Sequence, residues 1–177
     1  MREQTGTAEQ QIAACSAKGG KYLTFQLGEE VYGIEILRVQ EIIGMMTITP
    51  VPTTPPEVRG LINLRGKVLA VLDLRLKFGM AAIEDTERTC ITVVQVGTGA
   101  SRVVVGIVVD NVCEVLDIEG SQIEPAPSFG AHVETDFILG IAKVGESVVT
   151  LLDIENVLSA RDVMIVQNVS AQSSASA

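Results

Sequence analysis

A single unit is written twice in this chain. Leu27-Gly28, Tyr32-Gly33-Ile34 and Val39-Gln40-Glu41-Ile42 return as Val96-Gly97, Val105-Gly106-Ile107 and Val112-Cys113-Glu114-Val115. Ile48-Thr49-Pro50-Val51-Pro52 returns as Ile123-Glu124-Pro125-Ala126-Pro127. Gly60-Leu61-Ile62 and Val68–Leu74 return as Gly140-Ile141-Ala142 and Val148–Ile154. The offset grows from 69 to 73, 75 and 80 residues, the drift that loop insertions in the second copy leave behind. Most shared positions are apolar, Gly or Pro, so the duplication describes a scaffold. A unit of this size is a marginal fold on its own, and two should share a core. The copies are placed at about 21–80 and 88–158. The polar, small-residue segments 1–20 and 167–177 read as mobile tails.

Composition says what the units are made of. Hydrophobic residues are 47% of the 177, aromatics only 3%, and there is no Trp. The core is therefore Val, Ile and Leu, and β-branched residues at this density favour strands. Leu23, Phe25 and Leu27 alternate with Thr24 and Gln26, the period of a half-buried strand. Gly28-Glu29-Glu30 is a tight turn, and Val31–Ile43 is predicted as one returning strand, bent where its alternation slips between Ile36 and Leu37. Ile91–Val96 and Arg102–Leu116 form the matching hairpin. All six prolines fall in two connectors, Pro50–Pro56 and Pro125–Pro127. Paired strands follow each connector: Gly60–Leu64 with Val68–Leu72, and Phe137–Val144 with Val148–Leu152. Each copy closes on an Asp before a short helical stretch, Leu74–Phe78 and Ile154–Ala160. The architecture this predicts is all-β, built of small twisted antiparallel barrels.

Charge and cysteine usage narrow the function. A net charge of −9 speaks against nucleic acid and against an anionic membrane surface. Cys15, Cys90 and Cys113 are odd in number and far apart, as expected of reduced thiols in a cytoplasmic protein. No secretory leader and no membrane-spanning run is read from the sequence.

Few residues suggest chemistry. Asp73 and Asp153, equivalent in the duplication, could be a proton-sharing dyad of an aspartic-type hydrolase. The plainer alternative is that each caps the helix it precedes. Gly60 to Lys67 has one residue too many for a phosphate loop and Val68 where a hydroxyl would hold magnesium. His132, the single histidine, has no spaced ligand partners, so neither a metal nor another cofactor is expected. Arg65 stands apart. It sits on the turn Asn63-Leu64-Arg65-Gly66 between two apolar strands, and its counterpart is Gly145. A cation that packing symmetry does not require is either a solvated turn residue or a contact for a partner. Glu41, at the end of its strand, is either a solvated carboxylate or the ion-pair partner of Arg65.

These residues resemble a family. The hairpin Thr24–Ile34, the strand Val39-Gln40-Glu41-Ile42, the turn Asn63-Leu64-Arg65-Gly66 and Val71-Leu72-Asp73-Leu74-Arg75 are similar to the CheW family of bacterial chemotaxis coupling proteins. Val105–Asp110 and Ile123–Pro127 fit the second half, so the resemblance runs from about Lys21 to Leu158. It implies two five-stranded, SH3-like barrels around a shared hydrophobic core, with short helices. It implies a non-catalytic signalling adaptor, without a fused receiver or kinase module. Its partners would be the cytoplasmic tip of methyl-accepting chemoreceptors and the regulatory domain of the chemotaxis histidine kinase. The resemblance carries receptor binding onto Val39, Glu41, Gly60 and Arg65. It carries kinase or other partner binding onto Val112 and Val115. A coupling protein of a sister pathway, such as surface motility, would carry the same motifs.

Overall fold

The computed structural model describes residues 19–97, 102–125 and 137–158. Among these residues eleven strands form two sheets. In chain order the strands are β1 (Gly20–Leu27), β2 (Glu30–Glu35), β3 (Val39–Gly44), β4 (Val58–Leu64), β5 (Lys67–Asp73), β6 (Cys90–Val96), β7 (Val103–Val109), β8 (Asn111–Ile118), β9 (Ile123–Glu124), β10 (Ile138–Val144) and β11 (Ser147–Leu152). Two short helices follow β5 and β11: α1 (Leu74–Lys77) and α2 (Ile154–Val157). One sheet runs β8-β1-β2-β11-β10-β9 and the other β3-β6-β7-β5-β4.

The strand order departs from the simplest expectation of one repeat per barrel. Each sheet takes its hairpin from one copy and its remaining strands from the other. The hairpin β1–β2 lies between β8 and β11, while β6–β7 lies between β3 and β5. The exchange obeys a two-fold rule that can be checked residue by residue. Val71 pairs with Gly106, and their counterparts Leu151 and Gly33 pair in turn. Val39 pairs with Val94, and Val112 with Phe25. Register slips recur too, between Val58 and Gly60 and between Ile138 and Gly140. The sheets differ chiefly in that β9 is a two-residue strand, whereas its counterpart is the single bridge of Thr49 to Leu61.

The exchange accounts for Val31–Ile43. It is not one bent strand. A 3-10 turn at Ile36–Arg38 ends β2 in one sheet and starts β3 in the other. The slip in alternation marks a change of sheet: Ile36 and Val39 on either side of it pack on the shared core, while Val31 and Ile43 farther out reach different barrel interiors. The second copy crosses at Asp110, between β7 and β8. Two smaller corrections concern boundaries. Gly20, assigned to the tail, already pairs with Ile118, and α1 ends at Lys77 with Phe78 as its cap.

Three apolar clusters result. Ile62, Leu69, Val71, Ile91, Val93 and Val108 fill one barrel. Tyr22, Ile118, Ile123, Ala142, Val149 and Leu151 fill the other. The largest cluster lies between them, and Leu23, Phe25, Leu72, Val94, Val105 and Leu152 belong to it. Strands β1 and β5 face a barrel interior on one side and the shared core on the other, so Tyr22–Phe25 and Leu69–Asp73 are buried without interruption. That double burial is why β5 reads as a near-continuous apolar run; in β1 it corrects the half-buried reading, since Thr24 is buried as well. Four of the few aromatics form a ladder at the junction: Phe25 to Tyr32, Tyr32 to Phe78 and Phe78 to Phe137, with centroids 6.1, 5.7 and 5.3 Å apart. Beside it Arg75 of α1 pairs with Asp110, whose Oδ2 also accepts the Gly28 N–H at 2.7 Å. One carboxylate thus ties the first hairpin's turn, the first helix and the second copy together.

Candidate functional site

The two asparates are structural. Asp73 Oδ1 accepts the N–H groups of Arg75 at 2.9 Å and Leu76 at 3.4 Å, at the start of α1. Asp153 Oδ1 accepts from Glu155 N–H at 3.1 Å, and its other oxygen accepts from the Asn156 amide at 3.1 Å. They close different sheets, and Oδ1 of each accepts N–H groups at a helix start, the capping geometry of the second alternative. Among the described residues no group of three or more His, Cys, Asp or Glu stands close enough to hold a metal ion. His132 lies outside the described residues, as does Cys15.

The first unit brings Glu41 and Arg65 together. Glu41 lies in β3, an edge strand, on the side shared with Val39 and Ile43. Val39 packs against the shared core and Ile43 against the barrel interior, so Glu41 stands at the lip between them. Arg65 comes from the turn between β4 and β5, the strands at the opposite side of the same sheet. Its two terminal nitrogens donate to the two Glu41 oxygens at 3.1 and 2.9 Å. This bidentate pair spans the seam where the rolled sheet leaves its edges unpaired. The Arg65 side chain is 75% exposed against 27% for Glu41. Two of its five N–H donors are used and the rest face solvent.

Backbone geometry holds Arg65 there. The turn has two residues, Arg65 with φ 54° and Gly66 with φ 86°, the positive pair that matches the twist of a hairpin. Asn63 Oδ1 accepts the Gly66 N–H at 2.9 Å and fixes the bend. A β-carbon in the left-handed region costs roughly 1–2 kcal/mol, which glycine avoids. A non-glycine residue that tolerates this cost at an exposed turn points to a role for its side chain.

Gly60 serves the site from below. It is buried in β4 with φ 142°, and a β-carbon there would stand 2.1 Å from the Thr49 carbonyl oxygen. Nothing but glycine lets Thr49 lie across β4 and exchange hydrogen bonds of 2.8 Å each way with Leu61. Gly60 therefore offers a partner no side chain; it sets the path of the segment entering the first unit.

The second unit holds the remaining two residues on β8, also an edge strand. Val112 is half-buried against the shared core, and Val115 is 48% exposed on the opposite face. Between them, Cys113 is exposed, and burial of its sulfur together with the Glu114 carboxylate pushes its thiol pKa up. Sequence reasoning missed Leu37, at 89% the most exposed large apolar side chain among the described residues, on the 3-10 turn that joins the sheets. Only the slip in alternation marked that place. With Gly19, Lys21, Tyr22 and Glu35, Leu37 lines an open cavity of about 460 Å³. No described helix is long and apolar enough to cross a membrane.

With this geometry described, known proteins can be compared. A family model described as CheW-like domain matches residues 21–162. Chemotaxis protein CheW of Klebsiella aerogenes is 41% identical over 151 residues, covering 85% of this chain and 89% of the relative. Chemotaxis protein CheW of Rhizobium meliloti is 34% identical over 144 residues, covering 81% and 90%. Among solved structures, the scaffolding protein CheW of Thermoanaerobacter tengcongensis superimposes with a TM-score of 0.70 at 32% identity, covering 81% of this chain and 95% of that one.

Proposed function

The chain belongs to the CheW-like domain family, and from that premise we propose that it couples methyl-accepting chemoreceptors to the chemotaxis histidine kinase as an adaptor without catalysis of its own. The observation that carries this reading is the Glu41–Arg65 pair: a preorganised, exposed cation on a strained turn. Receptor binding belongs to this first seam. Arg65 presents its free donors to the acidic and polar groups of a receptor tip, Glu41 fixes the guanidinium plane, Val39 supplies apolar contact, and Gly60 keeps the floor in place. Holding the guanidinium in advance lowers the side-chain entropy lost on docking. The kinase's regulatory domain takes the second unit, at Val112 and Val115. Both contacts are made in the cytoplasm, where receptor tips lie. The carboxylates of Asp73 and Asp153 each receive backbone N–H groups at a helix start, which favours capping over a shared acid–base role.

Co-sedimentation of this protein with receptor tips and kinase tests the proposal. Kinase should appear in the receptor pellet only when the protein is present, and Arg65→Glu should release it. Kinase that sediments equally well without the protein would refute the adaptor role.

A further inference from the structure

The pseudo-two-fold gives this molecule an internal comparison, because each seam shows what the other lacks. In the first unit the Glu41 carboxylate, between Val39 and Ile43, is closed by the guanidinium of Arg65. The same relation carries Val39, Glu41 and Ile43 onto Val112, Glu114 and Leu116, and Arg65 onto Gly145. Glu114 is firmly placed: its backbone exchanges hydrogen bonds of 2.7 and 3.2 Å with the Thr24 hydroxyl. Yet its exposed carboxylate has no hydrogen-bond or ion-pair partner among the described residues. Gly145 brings no side chain to the seam, and Lys143, just before that turn, is held by Glu124 at 2.8 Å. What remains is an unneutralised carboxylate on an edge strand, with half-buried Val112 on its own face and exposed Val115 on the other.

We propose that the second seam is a docking site whose missing cation comes from the partner: an arginine, presented from a turn of the kinase's regulatory domain, closes on Glu114 as Arg65 closes on Glu41. The assignment rests on the adaptor function proposed above and adds the chemistry by which the second unit recognises its partner. Charge complementarity favours it, since a basic side chain arriving here gains a bidentate acceptor that no cation among the described residues already holds. Apolar contact with Val112, on the same face, shields the pair from water and strengthens it.

The internal comparison also supplies the test. Gly145 has φ 61°, close to the 54° of Arg65, and a β-carbon on it would meet nothing within 4 Å. Gly145→Arg should therefore fold, give Glu114 a partner within its own chain and shut out the incoming arginine. Binding of the kinase regulatory domain and of receptor tips is measured by calorimetry for the full chain, alongside thermal melts. Gly145→Arg and Glu114→Arg should each weaken kinase-domain binding more than tenfold. Gly145→Asn, which suits the same backbone without a cation, should bind as the parent does, and receptor-tip binding should be unchanged in all three. Unchanged kinase binding in folded Glu114→Arg and Gly145→Arg would overturn the inference and leave the adaptor role standing. A parent protein that binds neither partner would overturn both. Self-association of the parent in sedimentation, abolished by Gly145→Arg, would put a second copy in the seam and overturn the assignment to the kinase.

Discussion

A left-handed arginine makes Arg65 a residue whose structural and functional contributions oppose each other. Replacing it with glycine relieves a backbone cost of roughly 1–2 kcal/mol. The exposed ion pair lost is worth about 0.2–1 kcal/mol, and the added freedom of glycine in the unfolded chain costs roughly 0.5–1 kcal/mol. Arg65→Gly should accordingly leave the melting temperature unchanged or slightly raised, while kinase activation in reconstituted receptor complexes falls sharply. A thermal melt and an activation assay on one preparation check both halves. A second residue-scale expectation concerns alkali. Burial, assisted by Glu35, pushes the Tyr22 pKa up from 10 to about 12. Burial and Glu30 push Tyr32 up as well. A phenol whose pKa is raised by folding contributes stability fully below its unfolded pKa. That contribution disappears as pH climbs through the folded value. Urea midpoints should fall between about pH 10 and 12, and Tyr22→Phe should make the fall shallower. The pairing of Glu41 with Arg65 was legible in the sequence, because an Asn-x-Arg-Gly turn between apolar strands fixes where the cation points. The strained φ was not, since arginine carries no intrinsic preference for that region.

At the scale of elements, the helix starts differ in depth. Asp73 is 7% exposed, accepts two N–H groups and has Arg59 at 3.9 Å, whereas Asp153 is only half-buried and accepts one backbone N–H. Loss of a cap costs about 0.5–2 kcal/mol. Asp73→Ala should fall at the upper end and Asp153→Ala at the lower, measured as shifts in the urea midpoint. Strand positions were largely legible, as the period-two pattern and the turn glycines predicted. Strand partners were not. The run Val31–Ile43 carries apolar residues through both of its halves, with Glu35, Arg38, Gln40 and Glu41 spread between them, so nothing local says that the halves enter different sheets. The parallel contacts of β2 with β11 and β5 with β7 join residues far apart in the chain, and no local signal encodes them.

For the whole molecule, exchanged hairpins mean that neither copy holds a complete sheet. A chain ending near residue 85 would leave β1–β2 without β8 and β11, and β3 without β6. Residues 81–88 are exposed and carry no strand or helix, so a cut there breaks no ladder. Fragments 19–85 and 86–158 should each be unfolded alone and should form one native complex when mixed. Circular dichroism of the separate and mixed fragments decides it, and an independently folded fragment would contradict the exchange. The same topology has a consequence for how the two seams can differ. A symmetric dimer of one short chain would have to carry the same residue at both turns, so any change at one would be a change at the other. Tethering the copies in a single chain removes that obligation: arginine can stand at residue 65 and glycine at residue 145. One seam is then free to be self-sufficient and the other incomplete, which gives a scaffold with near-identical halves two ends that are not interchangeable, and so a direction.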